Sequence, residues 1–208
     1  MTKINGDDET IYLNGYHLGA TPADKIIEVY ETAEGRANSL YTLDELLFTS
    51  LGRQNVSDRI KLANYFLDKG ADPSYVDSYN RANCLHVLFK RWEYDYEREA
   101  PLLQRLLDGG ADINQRSRRT GYPLELVTMM LPNETDINHF YDVIFAHPGI
   151  DFGVIVNRVT GATLADLYFE LPPVMAEETA RAKEYIAQRG LRGDGKPPFE
   201  WVREGHSD

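Results

Sequence analysis

The stretch that decides the fold is LLDGGADINQRSRRTGYPLE, residues 106–125. Its first residues are spaced like the last turn of an apolar helix, and Gly109 and Gly110 follow them. Glycine readily takes the left-handed conformation that ends a helix. After an Ala-Asp pair and three arginines, the Tyr-Pro-Leu sequence is typical of a helix start, because proline is tolerated in the first turn. The stretch therefore predicts a helix end, a loop and a new helix.

The same pattern occurs upstream in FLDKGADPSYVDSYNRANCLHVLF (66–89) and downstream in FAHPGIDFGVIVNRVTGATLADLYF (145–169). The glycines that end a helix lie 40 and 39 residues apart: Gly70, Gly110 and Gly149. The leucines that open the next helix lie 39 and 40 residues apart: Leu85, Leu124 and Leu164. A more degenerate start, YTLDELLF, places Leu43 another 42 residues upstream. Self-similarity at a period of about 20–50 residues indicates a repeat protein.

Each unit is predicted to contain two helices. We expect the first helices at 42–51, 83–93, 122–131 and 162–170. We expect the second helices at 58–69, 99–109, 135–147 and 175–189. In the second helices apolar residues recur at i, i+3 and i+4, as in Leu102, Leu103 and Leu106, which builds one buried stripe. A unit of this size cannot bury its stripe alone, so the prediction is an all-α solenoid of stacked units.

Helix-start signals agree with these positions. Thr42-Leu-Asp-Glu45 is a capping box, and Thr163-Leu-Ala-Asp166 is close to one. Asn83 supplies a capping oxygen for its unit. Thr21-Pro22 with Asp24 predicts a separate N-terminal helix near 22–33.

Two joints carry a resemblance to a known family. They are Gly110-Ala-Asp112-Ile-Asn114 with Gly121-Tyr-Pro123-Leu124, and Gly70-Ala-Asp72 with Asn83-Cys-Leu85-His86. They resemble the joints of ankyrin repeats, whose helix start reads Thr-Pro-Leu-His, and the resemblance covers roughly residues 40 to 189. The period of 39–42 residues exceeds the ankyrin period of about 33, and the excess lies on the helical side. The resemblance implies protein partners, bound on the hairpin side and along the first-helix face.

Length and charge limit the remaining classes. The predicted organisation is an N-terminal cap with one helix (1–40), four degenerate repeats (41–189) and a C-terminal tail or cap (190–208). The formal net charge of −11 disfavours nucleic acid, whose binding needs clustered Lys and Arg, and favours a basic partner. The start MTKINGDDETIYLNG lacks the apolar core of a signal peptide, and no segment approaches the roughly 20 apolar residues of a membrane span. We therefore expect a cytoplasmic protein without membrane contact.

Candidate chemistry is weak in this sequence. The glycines at 109–110 follow a helix and lack the Lys-Ser/Thr of a phosphate loop. Cys84 and His86 have the residue types of a nucleophile pair, but at this joint the resemblance implies a structural histidine and a small buried cysteine. His139, Asp142 and His147 lack a convincing third metal ligand. We therefore predict no catalytic residue, no cofactor and no metal.

Candidate partner-binding residues lie in the hairpins. Arg116, Arg118 and Arg119 are predicted at a hairpin tip, either as solvated charges or as a grip on a partner's carboxylate. Tyr75, Tyr79 and Arg81 belong to the preceding hairpin. Whether these two tyrosines pack in the core or face a partner stays open at this point.

Two further stretches are ambiguous. RWEYDYERE, 91–99, offers candidate contacts in Trp92, Tyr94, Asp95 and Tyr96 if it is a loop, whereas a helix would send Trp92 and Tyr96 to the core. The tail after residue 190 carries Phe199, Trp201 and Val202, which either cap the last repeat or form a recognition segment.

The sequence thus predicts a non-enzymatic protein-interaction module. The most specific hypothesis is an inhibitor or immunity protein that neutralises a basic toxin or enzyme. The alternatives are a scaffold or regulatory adaptor and a small hydrolase.

Overall fold

The computed structural model describes residues 13–91, 93–130 and 136–193. The protein is mostly helical, with one small two-stranded antiparallel sheet. The helices run α1 Gly15–Ala20, α2 Ala23–Glu31, α3 Ala33–Ala37, α4 Leu43–Ser50, α5 Val56–Asp68, α6 Cys84–Leu88, α7 Tyr96–Asp108, α8 Pro123–Val127, α9 Asn138–Ala146, α10 Leu164–Phe169 and α11 Ala176–Arg189. The strands are β1 Ile155–Asn157 and β2 Ala162–Thr163, and a 3₁₀ turn spans Pro173–Met175.

The helices pack in chain order along two rows. The longer helices α2, α5, α7, α9 and α11 each contact the next, and the short helices α4, α6 and α8 do the same. Their apolar faces form one buried cluster that extends from Leu13 to Tyr185. None of the helices described is both long enough and apolar enough to cross a membrane.

The predicted second helices match α5, α7, α9 and α11 closely, but two of the first helices are shorter than expected. The helix predicted at 83–93 ends at Leu88, and the one predicted at 122–131 ends at Val127. Tyr94 explains the first difference, because its hydroxyl donates to Leu88 O at 3.2 Å and accepts from Arg91 N at 2.8 Å. A side chain from beyond the helix therefore ends it.

The helix caps follow the sequence except at Gly149 and at the start of α2. The boxes of Thr42 with Glu45 and Thr163 with Asp166 are formed, and Asn83 caps α6. Gly70 and Gly110 have φ of 93° and 99°, as expected for helix ends. Gly149 is not left-handed, so that prediction was wrong: α9 ends at Ala146, and extended His147 precedes Pro148.

The N-terminal region contains more helix than predicted. The structure places α1 and α3 on either side of the expected helix, α2. No side chain of its own caps α2; instead Asp58 of α5 accepts from Ala23 N at 3.4 Å. Arg53 joins this contact, since it donates to Asp58 at 2.8 Å and to Thr21 O at 2.7 Å. Tertiary contacts therefore fix this helix start.

One buried ion pair links neighbouring long helices. Arg59 of α5 and Glu99 of α7 are both fully buried and form a bidentate pair at 2.7 and 2.9 Å. Arg59 also donates to Glu93 O, and Glu99 accepts from Asp95 N at 3.0 Å, so the charges are surrounded by hydrogen bonds. Such pairs are costly to break, because one partner alone leaves an uncompensated buried charge.

Candidate hairpin interface

Three hairpins project from the helix stack and share one turn design. Antiparallel bridges close the first two, Val76 with Asn83 and Ser117 with Gly121, and the β1–β2 pair closes the third. A polar residue opens each turn at an interval of 40: Asp77, Ser117 and Asn157. Each of them accepts hydrogen bonds from the backbone N–H groups two and three residues later, at 2.6 to 3.4 Å.

The turns also share a left-handed position near their end. Gly121 and Gly161 take φ of 70° and 74° there, and the equivalent residue of the first hairpin is Arg81, with φ of 59°. An L-residue with a long side chain adopts this conformation at a cost. In the described ranges Arg81 is the sole non-glycine residue with positive φ. Strain of this kind is often retained at functional positions.

The hairpins are bonded to one another. Arg118 N donates to Asn80 O at 2.7 Å, and the Arg118 guanidinium donates to Tyr79 O at 2.8 Å. At the start of α6, Asn83 donates to Asp112 O at 2.6 Å. Asn114 donates to Gly149 O at 2.6 Å and accepts from the N–H of residue 151 at 2.9 Å. The spacing of the tips is therefore fixed by the fold.

The residue two positions after the opening residue is exposed in each turn and differs in type. Tyr79 is 73% exposed and Val159 is 96% exposed, and the equivalent Arg119 is also exposed. The neighbouring arginines are exposed as well: Arg81, Arg116, Arg118 and Arg158. We call the surface formed by these side chains the hairpin edge: Tyr79, Arg81, Arg116, Arg118, Arg119, Arg158 and Val159.

The Tyr122 hydroxyl is influenced by charged groups of two hairpins. Burial raises the pKa of the Tyr122 hydroxyl, and Arg116 and Arg158 both act on it in the opposite direction. Glu125 and Asp151 raise this pKa further, so charges of both signs in and beside the second and third hairpins act on the same side chain.

Five of the predicted contact residues are exposed in or beside the first two hairpins: Tyr79, Arg81, Arg116, Arg118 and Arg119. A hairpin is present as predicted: the bridge between Ser117 and Gly121 closes a turn that contains Arg118 and Arg119, and Arg116 directly precedes this turn. Tyr75 lies on the inner side instead, where its ring meets Phe48 edge-on at 5.6 Å and its hydroxyl donates to Glu45 at 3.4 Å.

The residues of the 91–99 stretch have structural roles. Tyr94 and Tyr96 were predicted as contacts, which is wrong, because both are buried and stack on each other with ring centroids 5.0 Å apart. Asp95 caps α7 by accepting from Arg98 N at 3.2 Å. Trp92 and the tail residues Phe199, Trp201 and Val202 lie outside the described residues.

Arg158 and Val159 were not predicted from the sequence. The signal was present in the 40-residue interval from Asp77 to Ser117 to Asn157, which places them at the tip positions of the third hairpin. The helix ends and helix starts do not contain this signal, because it lies in the turns between them.

Cys84 and His86 have the environment of structural residues. Burial raises the pKa of the Cys84 thiol to about 12, so the reactive thiolate is disfavoured. His86 Nδ1 contacts the side chain of Asn83 at 2.8 Å, and Nε2 lies 3.0 Å from Gly121 O, which ties α6 to the next hairpin. Burial also lowers the pKa of His86.

Metal-ligating side chains and surface cavities are the other features that bear on ligand binding. No group of three metal-ligating side chains occurs within the part of the chain that the structure covers. An open cavity of about 270 Å³ lies between α9 and α11, beside Asp142, Arg181, Glu184 and Arg189. Arg181 already pairs with Asp142 at 2.7 Å and with Glu177 at 2.9 Å, so its charge is satisfied within the protein.

Comparison with known proteins yields a similarity of fold. No protein-family model and no curated protein matches the chain. A crystal structure of a functionally unknown protein from Leptotrichia buccalis C-1013-b is similar, with a TM-score of 0.68 and 18% sequence identity. The match covers 86% of this chain and 94% of that one. At this identity the similarity concerns the fold alone.

Proposed function

We propose that this chain is a non-enzymatic protein-binding module, an ankyrin-like solenoid that holds its partner on the hairpin edge. The observation that carries the proposal is the row formed by Tyr79, Arg119 and Val159. These side chains occupy one turn position at intervals of 40 residues, and all three are exposed. Tyrosine and arginine are over-represented among the residues that dominate binding energy in protein interfaces.

The hydrogen bonds between hairpins support the same proposal. The backbone bond from Arg118 to Asn80 and the two bonds of Asn114 keep the tips in place before a partner arrives. A surface that is already ordered loses little conformational entropy on association.

Neutralisation of a basic enzyme or toxin is the specific form of this function that the net charge favours. A formal charge of −11 attracts a basic protein from a distance and raises the association rate. In that case added salt slows association with the partner much more than dissociation, which stopped-flow measurements at several ionic strengths would detect.

The test uses the apolar members of the hairpin edge. A partner captured from a cell extract is purified, and its affinity is measured by calorimetry for the wild type and for Tyr79→Ala combined with Val159→Ala. Truncation of two contact residues is expected to weaken binding by roughly tenfold or more.

The matched control is Leu40→Ala combined with Val174→Ala. These residues are 74% and 75% exposed and lie outside the hairpin edge, so they remove a similar amount of exposed apolar surface. Equal affinities for the two double variants would contradict a binding role for the hairpin edge.

A further inference from the structure

The arginines of the hairpin edge differ from most others in their partners. Six arginines of the described chain pair with carboxylates: Arg53, Arg59, Arg98, Arg105, Arg181 and Arg192. The five edge arginines form no ion pair in residues 13–91, 93–130 or 136–193: Arg81, Arg116, Arg118, Arg119 and Arg158. The chain has 33 acidic residues, so five arginines in neighbouring hairpins that form no ion pair with any of the described carboxylates require a reason.

The carboxylates nearest to the hairpin edge are already engaged. Asp77 accepts from the N–H groups of Tyr79 and Asn80 inside the first turn. Glu125 accepts from Tyr122 N at 2.6 Å at the start of α8. Asp151 accepts from Gly153 N and pairs with Arg192 at 3.8 Å. These carboxylates are held by hydrogen bonds or an ion pair of the fold, and none of them forms an ion pair with an arginine of the hairpin edge.

The five arginines form one surface. The second hairpin is bonded to the first through Arg118, and the loop before it is bonded to the loop before the third hairpin through Asn114. Gln115 donates to Arg81 O at 3.0 Å, which fixes the backbone of the arginine at the other end. The surface therefore presents several guanidinium groups at spacings that the three hairpins set.

We propose that the hairpin edge binds an acidic segment of a partner protein, whose carboxylates pair with these arginines. The proposal rests on the protein-binding function above and adds the chemistry of the contacted segment. Guanidinium groups form strong two-point hydrogen bonds with carboxylates. Without the five arginines the formal charge of −11 becomes −16, so the body of the molecule repels a long polyanion such as nucleic acid. A short acidic segment can contact the hairpin edge alone.

The probe is a fluorescent peptide in which glutamate and glycine alternate, and binding is followed by fluorescence anisotropy at low ionic strength. The test variant of the full chain is Arg116→Gln, Arg119→Gln and Arg158→Gln. The matched control, Lys25→Gln, Lys90→Gln and Lys183→Gln, changes the net charge equally at exposed positions outside the hairpin edge. All six residues are exposed, so circular dichroism should show unchanged folding.

The arginine variant is expected to bind the peptide about tenfold more weakly, and the lysine variant to change by less than about twofold. Equal loss in both variants would show an effect of total charge and overturn the proposal. A single-stranded DNA of matched charge that binds as tightly and responds equally would assign the surface to nucleic acid. Self-association in sedimentation that the arginine variant abolishes would assign it to a second copy of the chain. Either result overturns the proposal.

Binding of the purified partner to both sets of variants distinguishes failure of this proposal from failure of the proposed function. Binding that is lost in the Tyr79 and Val159 double variant but kept in the arginine variant would retain the function and overturn the acidic segment. Binding that neither variant affects would overturn both.

Discussion

Arg81 combines backbone strain with an exposed charge. Its φ of 59° equals, within 15°, those of Gly121 and Gly161 at the same turn position, yet its side chain makes no ion pair in the described part of the chain. Replacement Arg81→Gly should therefore stabilise the fold by roughly 0.5–1 kcal/mol, because the left-handed penalty disappears and exceeds the entropy that glycine adds to the unfolded chain. Urea unfolding measures this change, and the same variant should bind the acidic peptide more weakly.

The third hairpin supplies the control for this prediction. Gly161 has φ of 74°, and a Cβ added there meets no atom within 4 Å. Gly161→Ala therefore tests the backbone conformation alone and should cost about 1 kcal/mol. If Gly161→Ala is neutral while Arg81→Gly is stabilising, the gain at Arg81 has a cause other than strain.

Glu178 is a buried acid without the partner that its equivalent has. Glu99 pairs with Arg59, 40 residues earlier, whereas Asn138 stands 40 residues before Glu178. Glu178 is 1% exposed and forms no ion pair among the described residues, and the hydroxyl of Tyr141 is the polar group that acts on its carboxylate. Burial raises its carboxyl pKa from 4.5 to about 7, although the nearby Tyr141 hydroxyl opposes part of this rise.

The raised pKa predicts that stability falls as the pH rises. Below pH 4.5 both states of the chain hold the Glu178 proton, and between pH 4.5 and about 7 only the folded state holds it. Above that range the folded state carries the full penalty, up to about 3 kcal/mol for a shift of this size. Glu178→Gln keeps the shape without the charge, so it should stabilise the protein at pH 8 and change little at pH 4. Urea unfolding at both pH values checks this, and an equal effect at both would contradict it.

At the scale of elements, Asn114 connects two units through both ends of its amide. It donates to Gly149 O at 2.6 Å, and its Oδ1 accepts a backbone N–H at 2.9 Å. Asn114→Ala should cost about 1–3 kcal/mol, since two backbone groups lose their partner. Gln104→Ala is the control, because that amide contacts only exposed Asp108, and its removal should cost less than about 0.5 kcal/mol. Equal losses of stability in the two variants, measured by thermal unfolding, would show that the hydrogen bonds of Asn114 stabilise the protein no more than an exposed surface contact does.

The sequence predicted the elements whose signals are local. The boxes at Thr42 and Thr163 and the apolar stripes of the long helices depend on residues three and four apart, so their positions could be predicted. The short end of α6 could not, because it depends on the hydroxyl of Tyr94 from outside the helix. For the same reason the burial of Tyr94 and Tyr96 could not be predicted, since it depends on Phe140 of another unit.

The candidate site was predicted in part, for a related reason. The arginines at 116–119 were visible as a cluster within one loop. The contribution of Arg158 and Val159 depends on the stacking of hairpins 40 residues apart, so a single loop does not reveal it.

At the scale of the molecule, charge is divided between two surfaces. The hairpin edge holds five arginines, and the remaining chain has a formal charge of −16 once they are set aside from the total of −11. Under the proposed function, the acidic remainder would attract a basic protein at long range, whereas the hairpin edge would act only on contact. A partner that is basic as a whole and carries one acidic segment would satisfy both surfaces.

The order of helix contacts predicts which helices a local destabilisation affects. The long helices α2, α5, α7, α9 and α11 each contact the next in line, and in a solenoid stability is a sum of units and their neighbouring interfaces. Ile144 of α9 is fully buried, and Ile144→Ala should cost about 2–5 kcal/mol. Hydrogen exchange followed by mass spectrometry should then accelerate in α7, α9 and α11, while α2 keeps its wild-type rate.

The variant Ile26→Ala, at an equally buried position of α2, should produce the reverse gradient, with acceleration in α2 and α5 and none in α11. Uniform acceleration in both variants would mean that the chain unfolds as one cooperative unit, and the solenoid proposal would then be wrong.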